Sequence, residues 1–288
     1  MQAYVTKLVK RNFAQKEDNM KQWIIKNYKD CWDYLKESKI YLIVIAGVFI
    51  LTTLIGFTLP IFFTEQIQKL LKGLVGETQG LNFPQLFVYI FQNNLKTSFM
   101  GIIFSLPFGI IPLIYSTING YVLGFVAGKT AQVFGSAILL RLLPHGIFEL
   151  PALVVSLGLG LRLGTFFLET KRKWRGVLAY IVAIISSLVI FAASFLLVAF
   201  IASINKNIKI DALLAIPYFA LLGTGLLIVS GILGIIIAAS LLPQKEKTRV
   251  KENLLRNLEY SLKIFLFVVF PLLLIAGIIE SALIIFFG

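Results

Sequence analysis

The sequence predicts an all-α fold: a polytopic helical membrane bundle of about seven transmembrane helices, N-terminus cytoplasmic, with amphipathic helices in the interface. Three observations predict it. Of 288 residues, 58% are hydrophobic and only 14% charged, whereas a soluble domain carries about 25% charged residues. The apolar residues come in long uncharged blocks, too long for the elements of a soluble core. The 27 Lys and Arg lie mostly in the gaps between those blocks. Two parts result: an interfacial or cytoplasmic segment over 1–39, and one transmembrane domain over 40–288.

Residues 17–39 read as a surface helix, with Ile24, Tyr28, Trp32 and Leu35 on one stripe and Lys on the other faces. Such a basic amphipathic stretch beside a span lies in the interface or leads into the span as a solvated helix. The first span, 40–63, carries no charge and reaches ~36 Å as a helix. Residues 64–96 read as interfacial helices: Ile67, Leu70, Leu71 and Leu74 form one short stripe, and 84–91 is too short to cross. Residues 97–133 are too long for one span. Pro107, Pro112, Ser116 and Thr117 offer turns, which places spans near 97–114 and 117–135. Further spans fall at 144–164, 176–203, 213–242 and 264–287, with a charged loop over 243–263. No cleavable signal peptide is expected, because the first 39 residues are polar and no small-residue cleavage site follows the first apolar run.

The basic residues orient the bundle. With the N-terminus inside, segments 1–39, 165–175 and 243–263 are cytoplasmic and hold 9, 4 and 6 Lys or Arg. That asymmetry agrees with seven spans, whereas six would put one basic loop on the wrong side. The net charge of +13 is dispersed around the spans rather than gathered in one patch. It therefore points to anionic lipid headgroups and the cell membrane, and no nucleic acid is expected as a partner. One cysteine, Cys31, excludes an internal disulfide framework, and one histidine, His145, excludes a two-His metal site within a single chain.

Ionisable residues inside a membrane are expensive and are functional candidates by default. His145 and Glu149 sit at i and i+4, on one helix face. Glu280 is a second intramembrane acid. The string Gly-Ile-x-Glu occurs at 146–149 and again at 277–280. In an antiparallel pair of spans it places both carboxylates at similar depth near the outer face. The bland alternative is that these groups satisfy one another or the backbone and lock helix packing. Asn119 is the remaining polar candidate, a buried amide. Gly120, Gly124 and Gly128 recur every four residues, as do Ala152, Ser156, Gly160 and Gly164. Small residues at this spacing let backbones approach closely in lipid, and the two stripes are expected to be each other's partners. Arg162, near the cytoplasmic end of its span, is expected to snorkel to the interface. Lys129 and Arg141 read as interfacial, with a minority role as counter-charges to the acids.

Three features together resemble the stage II sporulation protein M family. They are Pro-His-Gly-Ile-Phe-Glu-Leu-Pro-Ala at 144–152, followed by Gly158, Gly160 and Leu-Arg-Leu-Gly at 161–164; Gly-Ile-Ile-Pro at 109–112 with Ile-Asn-Gly-Tyr-Val-Leu-Gly at 118–124; and Pro-Leu-Leu-Leu-Ile-Ala-Gly-Ile-Ile-Glu at 271–280. The resemblance covers 20–164 and 264–282. It implies an integral membrane protein. In spore-forming bacteria the family member partners peptidoglycan-degrading enzymes in a complex that drives membrane migration during engulfment. It implies no catalytic residues.

Three functions follow as expectations. The leading one is a non-enzymatic scaffold that recruits membrane or envelope partners; homo-oligomers through the glycine faces are compatible with it. The second is a transporter or channel whose polar site is built from His145, Glu149, Glu280 and Asn119. The third is an intramembrane enzyme with a metal ion on His145, Glu149 and Glu280. No other cofactor is expected.

Overall fold

In the computed structural model, the described residues are 2–61, 64–106, 108–135, 143–170, 173–204 and 217–287. Side-chain surroundings are described from residue 15, and exclude 70–71, 74–75, 134, 143–145, 173, 195–204, 217–224 and 227. Among these residues the chain is helical throughout. The elements are α1 (Gln2–Glu37), α2 (Lys39–Thr58), α3 (Thr64–Thr78), α4 (Phe83–Ile103), α5 (Ile110–Phe134) and α6 (Leu143–Gly164), then a 3-10 turn (Phe166–Glu169). After it come α7 (Lys173–Ile204), α8 (Pro217–Ser240), α9 (Gln244–Ile264), a π turn (Phe265–Val269) and α10 (Phe270–Phe287). Five described helical stretches are long and apolar enough to cross a membrane: Lys39–Thr58, Ile110–Val133, Gly146–Gly164, Trp174–Ser194 and the continuous Gln244–Phe286. The protein is a multi-pass membrane protein.

Several boundaries differ from the sequence reading, each for a local reason. The apolar piece 84–91 is not a separate short helix but the start of α4. Asn82 caps it: its side chain accepts from the Gln85 amide at 3.1 Å, and the Gln85 side chain accepts from the Asn82 amide at 3.1 Å. This capping box, with Pro84 in the first turn, starts the helix early. The break in 97–133 falls at 104–109, not at 114–117. There Phe108 and Gly109 both have positive φ, 79° and 65°. Glycine accepts that conformation freely, whereas Phe108 is held in it by the turn. Ser116, expected in a turn, is helical, and its hydroxyl donates to the Ile45 carbonyl of α2 at 3.0 Å. Residues 243–263 are a helix rather than a loop. Val250, Asn257, Ser261 and Ile264 form its buried face, a periodicity masked in the sequence by the dense charges of the other faces.

The glycine stripe of α5 packs on α2, not on the small-residue stripe of α6. A Cβ at Gly128 would sit 2.7 Å from the Phe57 carbonyl oxygen, and one at Gly124 would overlap the Thr53 carbonyl. Gly120 lies against Phe49 and Thr52, and Gly56 returns the contact against Tyr121 and Phe125. The pairs 120 with 49, 124 with 53 and 128 with 57 advance together, so α2 and α5 run parallel.

Helix α6 is the centre, touching α2, α4, α5, α9 and α10. Its own small residues serve α4, the 104–109 turn and the start of α5: Gly160 lies against Gly101 and Pro112, and Gly164 against Ser105 and Gly109. Ala152, Leu157, Leu159 and Leu163 are fully buried. Helix α10 runs antiparallel to α4, as Phe99 meets Phe265, Phe91 meets Phe270 and Phe87 meets Gly277. Helices α7 and α8 form a pair, joined through Gly234 against Ala183 and Ser187.

Candidate functional site

The face of α1 that packs on the bundle overlaps its apolar stripe only at Leu35 and, in part, at Tyr28. Cys31, Tyr34 and Ser38 are buried, while Ile24, Tyr28 and Trp32 are exposed. Helix α1 is pinned beside α9 and the π turn: Trp23 and Tyr28 contact the Phe267 ring, with centroids at 5.6 and 5.7 Å. Lys263 of α9 donates to Asp30 at 2.8 Å, and this hydrogen bond holds the Asp30 carboxyl below the usual carboxylate range. Burial raises the Cys31 thiol above its ordinary value, so Cys31 is a packed, unreactive group in this arrangement.

Where α1, α2, α6 and α9 meet, a charged network is built around a buried arginine and opens to solvent at Glu37 and Arg256. Arg162 does not snorkel: it is only 6% exposed. Its Nε donates to Glu169 at 2.9 Å, its Nη1 donates to the Ser38 hydroxyl at 2.8 Å, and its Nη2 lies 3.4 Å from Glu37. Glu37 also pairs with Arg256 of α9 at 2.5 Å. The guanidinium stacks 4.2 Å from the Tyr34 ring centroid. Tyr34 in turn donates to Asn257 at 2.8 Å and stacks on Tyr260 at 4.6 Å, nearly parallel. Asn253 closes the circle by donating to the Glu169 carbonyl at 3.2 Å. Two guanidinium groups thus face two carboxylates, and the charges balance. Burial pushes the Tyr34 phenol well above its ordinary value, so it stays a neutral donor.

This site was missed in the sequence. One signal was present: Arg162 stands between Gly160 and Gly164, whose close contacts commit that turn of α6 to the protein interior. An arginine there has no path to the interface. Its carboxylate partners lie 125 and 7 residues away, and only the fold brings Glu37 to it.

The predicted intramembrane acids fall at the opposite end of α6. Glu149 and Glu280 are half-buried, and their helices pack together; Leu159 clusters with Ile264 one way along the pair and Ala152 with Leu273 the other. Continued along that antiparallel register, the two acids fall toward the same end of the helix pair. Asn119 is part-buried on α5, and its side chain donates to the Tyr115 carbonyl of its own helix at 2.8 Å. Lys129 is exposed, 6.0 Å from the Phe125 ring centroid. The side chain of His145 and the whole of Arg141 lie outside the described residues. Among the described residues no three His, Cys, Asp or Glu side chains are grouped to hold a metal ion.

Comparison with known proteins is consistent with this architecture. Residues 42–205 match the family described as Stage II sporulation protein M. An uncharacterized protein of Methanocaldococcus jannaschii is 32% identical over 97 residues, which is 32% of this chain and 52% of that protein. The match thus spans about half the length of that relative. No solved structure matches the chain. Since the family match covers more than half of the sequence, from the first span through α7, the chain belongs to the stage II sporulation protein M family.

Proposed function

We propose that this protein is a non-enzymatic scaffold of the cell membrane, recruiting envelope partners through a fixed deck formed by α1 and α9. One observation carries the reading. Among the described residues, the polar constellation with the most members ties helices together instead of lining a passage. Arg162 uses all three of its nitrogens within the protein, and each bond goes to a segment other than its own helix. A network satisfied in this way fixes relative helix positions. A docking surface benefits from that rigidity, since less entropy is lost on binding.

The reading includes a topology. Bonds or close contacts link Ser38 with Arg162, Gly164 with Gly109, and Gly176 with Phe167. Segments near 38, 105–109, 162–176 and 243–257 therefore gather at one end of the bundle. An even number of crossings between successive members is met in this reading by α2, α4, α5, α6, α7 and α8 each crossing once, and α10 makes seven. The gathered end carries the three basic segments and is cytoplasmic by the positive-inside rule. The exposed Ile24, Tyr28 and Trp32 of α1 then face the headgroup layer, and the outer face of α9 is left for partners.

A transporter is the second reading, favoured only by Glu149 and Glu280 standing half-buried on two helices that pack together. The two are separated by single Glu149→Gln and Glu280→Gln variants in proteoliposomes. The scaffold reading expects no proton- or ion-driven flux above empty vesicles in any form. A flux abolished by either substitution would replace it with the transporter.

A further inference from the structure

Away from the Arg162 network, two clefts join end to end at the cytoplasmic mouth of the α7–α8 pair. The first is apolar, and Trp174, Leu178, Val182, Leu241 and Leu242 line it, with the small Ala179 and Ala238 at its floor. Leu178 and Leu241 are 53% and 68% exposed. The second is polar, running along the first turns of α9 past Lys245, Glu246, Thr248, Arg249 and Glu252. Arg175 and Pro243 line both, so the two are one continuous groove.

The chemistry changes along that groove as it does along a phospholipid. The apolar half lies between helices within the bilayer and suits an acyl chain. The polar half offers cations at the level where headgroups sit. Arg175 is held at 3.2 Å by Glu246, and Arg175 also lies 5.2 Å from the Trp174 ring centroid. Among the described residues no carboxylate pairs with Lys245 or Arg249. The second oxygen of Glu246, Oε2, is buried and accepts no hydrogen bond. A phosphate alone has no proton for that acceptor, whereas a headgroup hydroxyl can donate to it once the Glu246 side chain turns toward the cleft it lines.

We propose that this groove binds an anionic phospholipid with a hydroxyl-bearing headgroup, of the phosphatidylglycerol type. Its phosphate meets Lys245 and Arg249, its headgroup hydroxyl donates to Glu246, and one acyl chain lies between α7 and α8. Basic pockets between membrane helices on the cytoplasmic side are suited to such headgroups. The site rests on the topology proposed above but not on the scaffold role, since it would anchor the α7–α8 pair in either case.

Native mass spectrometry of the full-length protein in detergent tests it, with phosphatidylglycerol and phosphatidylcholine titrated separately. Wild type should retain phosphatidylglycerol selectively. The double variant Lys245→Gln/Arg249→Gln should lose roughly fivefold per cation, about 25-fold in all. Lys69→Gln/Lys72→Gln, which removes two exposed cations elsewhere, should change nothing. Leu178→Trp should weaken binding without altering charge, and both variants should keep the wild-type unfolding midpoint. Equal retention of the two lipids, equal loss in the Lys69/Lys72 control, or undiminished binding in both groove variants would overturn the proposal. So would full competition by inorganic phosphate, which would make this a free-anion site.

Discussion

Arg162 is the residue on which the deck depends. Removing it leaves Glu169, largely buried, without its cation, and frees Glu37 from one of its two. Breaking a buried pair in this way costs about 3 kcal/mol. Arg162→Gln should therefore lower the unfolding midpoint in detergent by a margin that surface Lys→Gln variants do not approach. Arg162→Lys should recover less than half, because an ammonium cannot bond three partners in one plane while stacking on Tyr34. Cys31 supplies an internal reporter. It is 1% exposed on the inner face of α1, so maleimide should not label it in wild type and should label it readily in Arg162→Gln. An unchanged labelling rate would show that Arg162 does not hold α1. Asp30 gives a pH signature. Its pKa is lowered in the folded state by the Lys263 hydrogen bond, so its contribution is complete above the unfolded value of about 3.9 and is lost as pH falls through the lowered one. Asp30→Asn should remove that acid-side loss from the midpoint-versus-pH curve and leave the neutral region parallel to wild type.

At the scale of elements, helix existence and helix contacts were unequally legible. Long apolar runs marked α2, α6 and α10, because in lipid the backbone bonds itself and length is diagnostic even where a run carries one or two charges. The helix α9 was hidden: its buried face is narrow and partly polar, with Asn257 and Ser261 among its four buried residues, so the apolar period that signals a helix was weak. The small-residue stripes announced close approach but not the partner, since a glycine face accepts any backbone. From sequence the α6 stripe and α2 are therefore equivalent partners for α5, and the fold selects α2. The observed pairing makes a prediction. Gly124→Val places branched carbons against the Thr53 carbonyl and should destabilise by about 1–3 kcal/mol through overpacking. Gly47→Ala, with open space around it, should be neutral. The same unfolding measurement reads both; equal effects would contradict the α2–α5 contact.

For the whole molecule, α6 divides the chain into two polar ends of different character. One end is an ion network around the buried Arg162 that binds α1 and α9 to the span. The other holds Glu149 and Glu280, which the sequence located through their cost in lipid and whose helices the fold brings together. Arg162 was legible as a charge but not as a centre, because its partners come from remote helix ends whose meeting is a property of the bundle. The central claim is that the α1–α9 deck is where partners dock. Site-specific photo-crosslinking in the native membrane tests it most directly, with the photoreactive group at Leu255 or Lys251 on the outer face of α9. The account predicts discrete adducts with a small set of other proteins, lost when Arg162→Gln loosens the deck and retained in Glu149→Gln and Glu280→Gln. Adducts insensitive to Arg162→Gln, or none from either position, would contradict it.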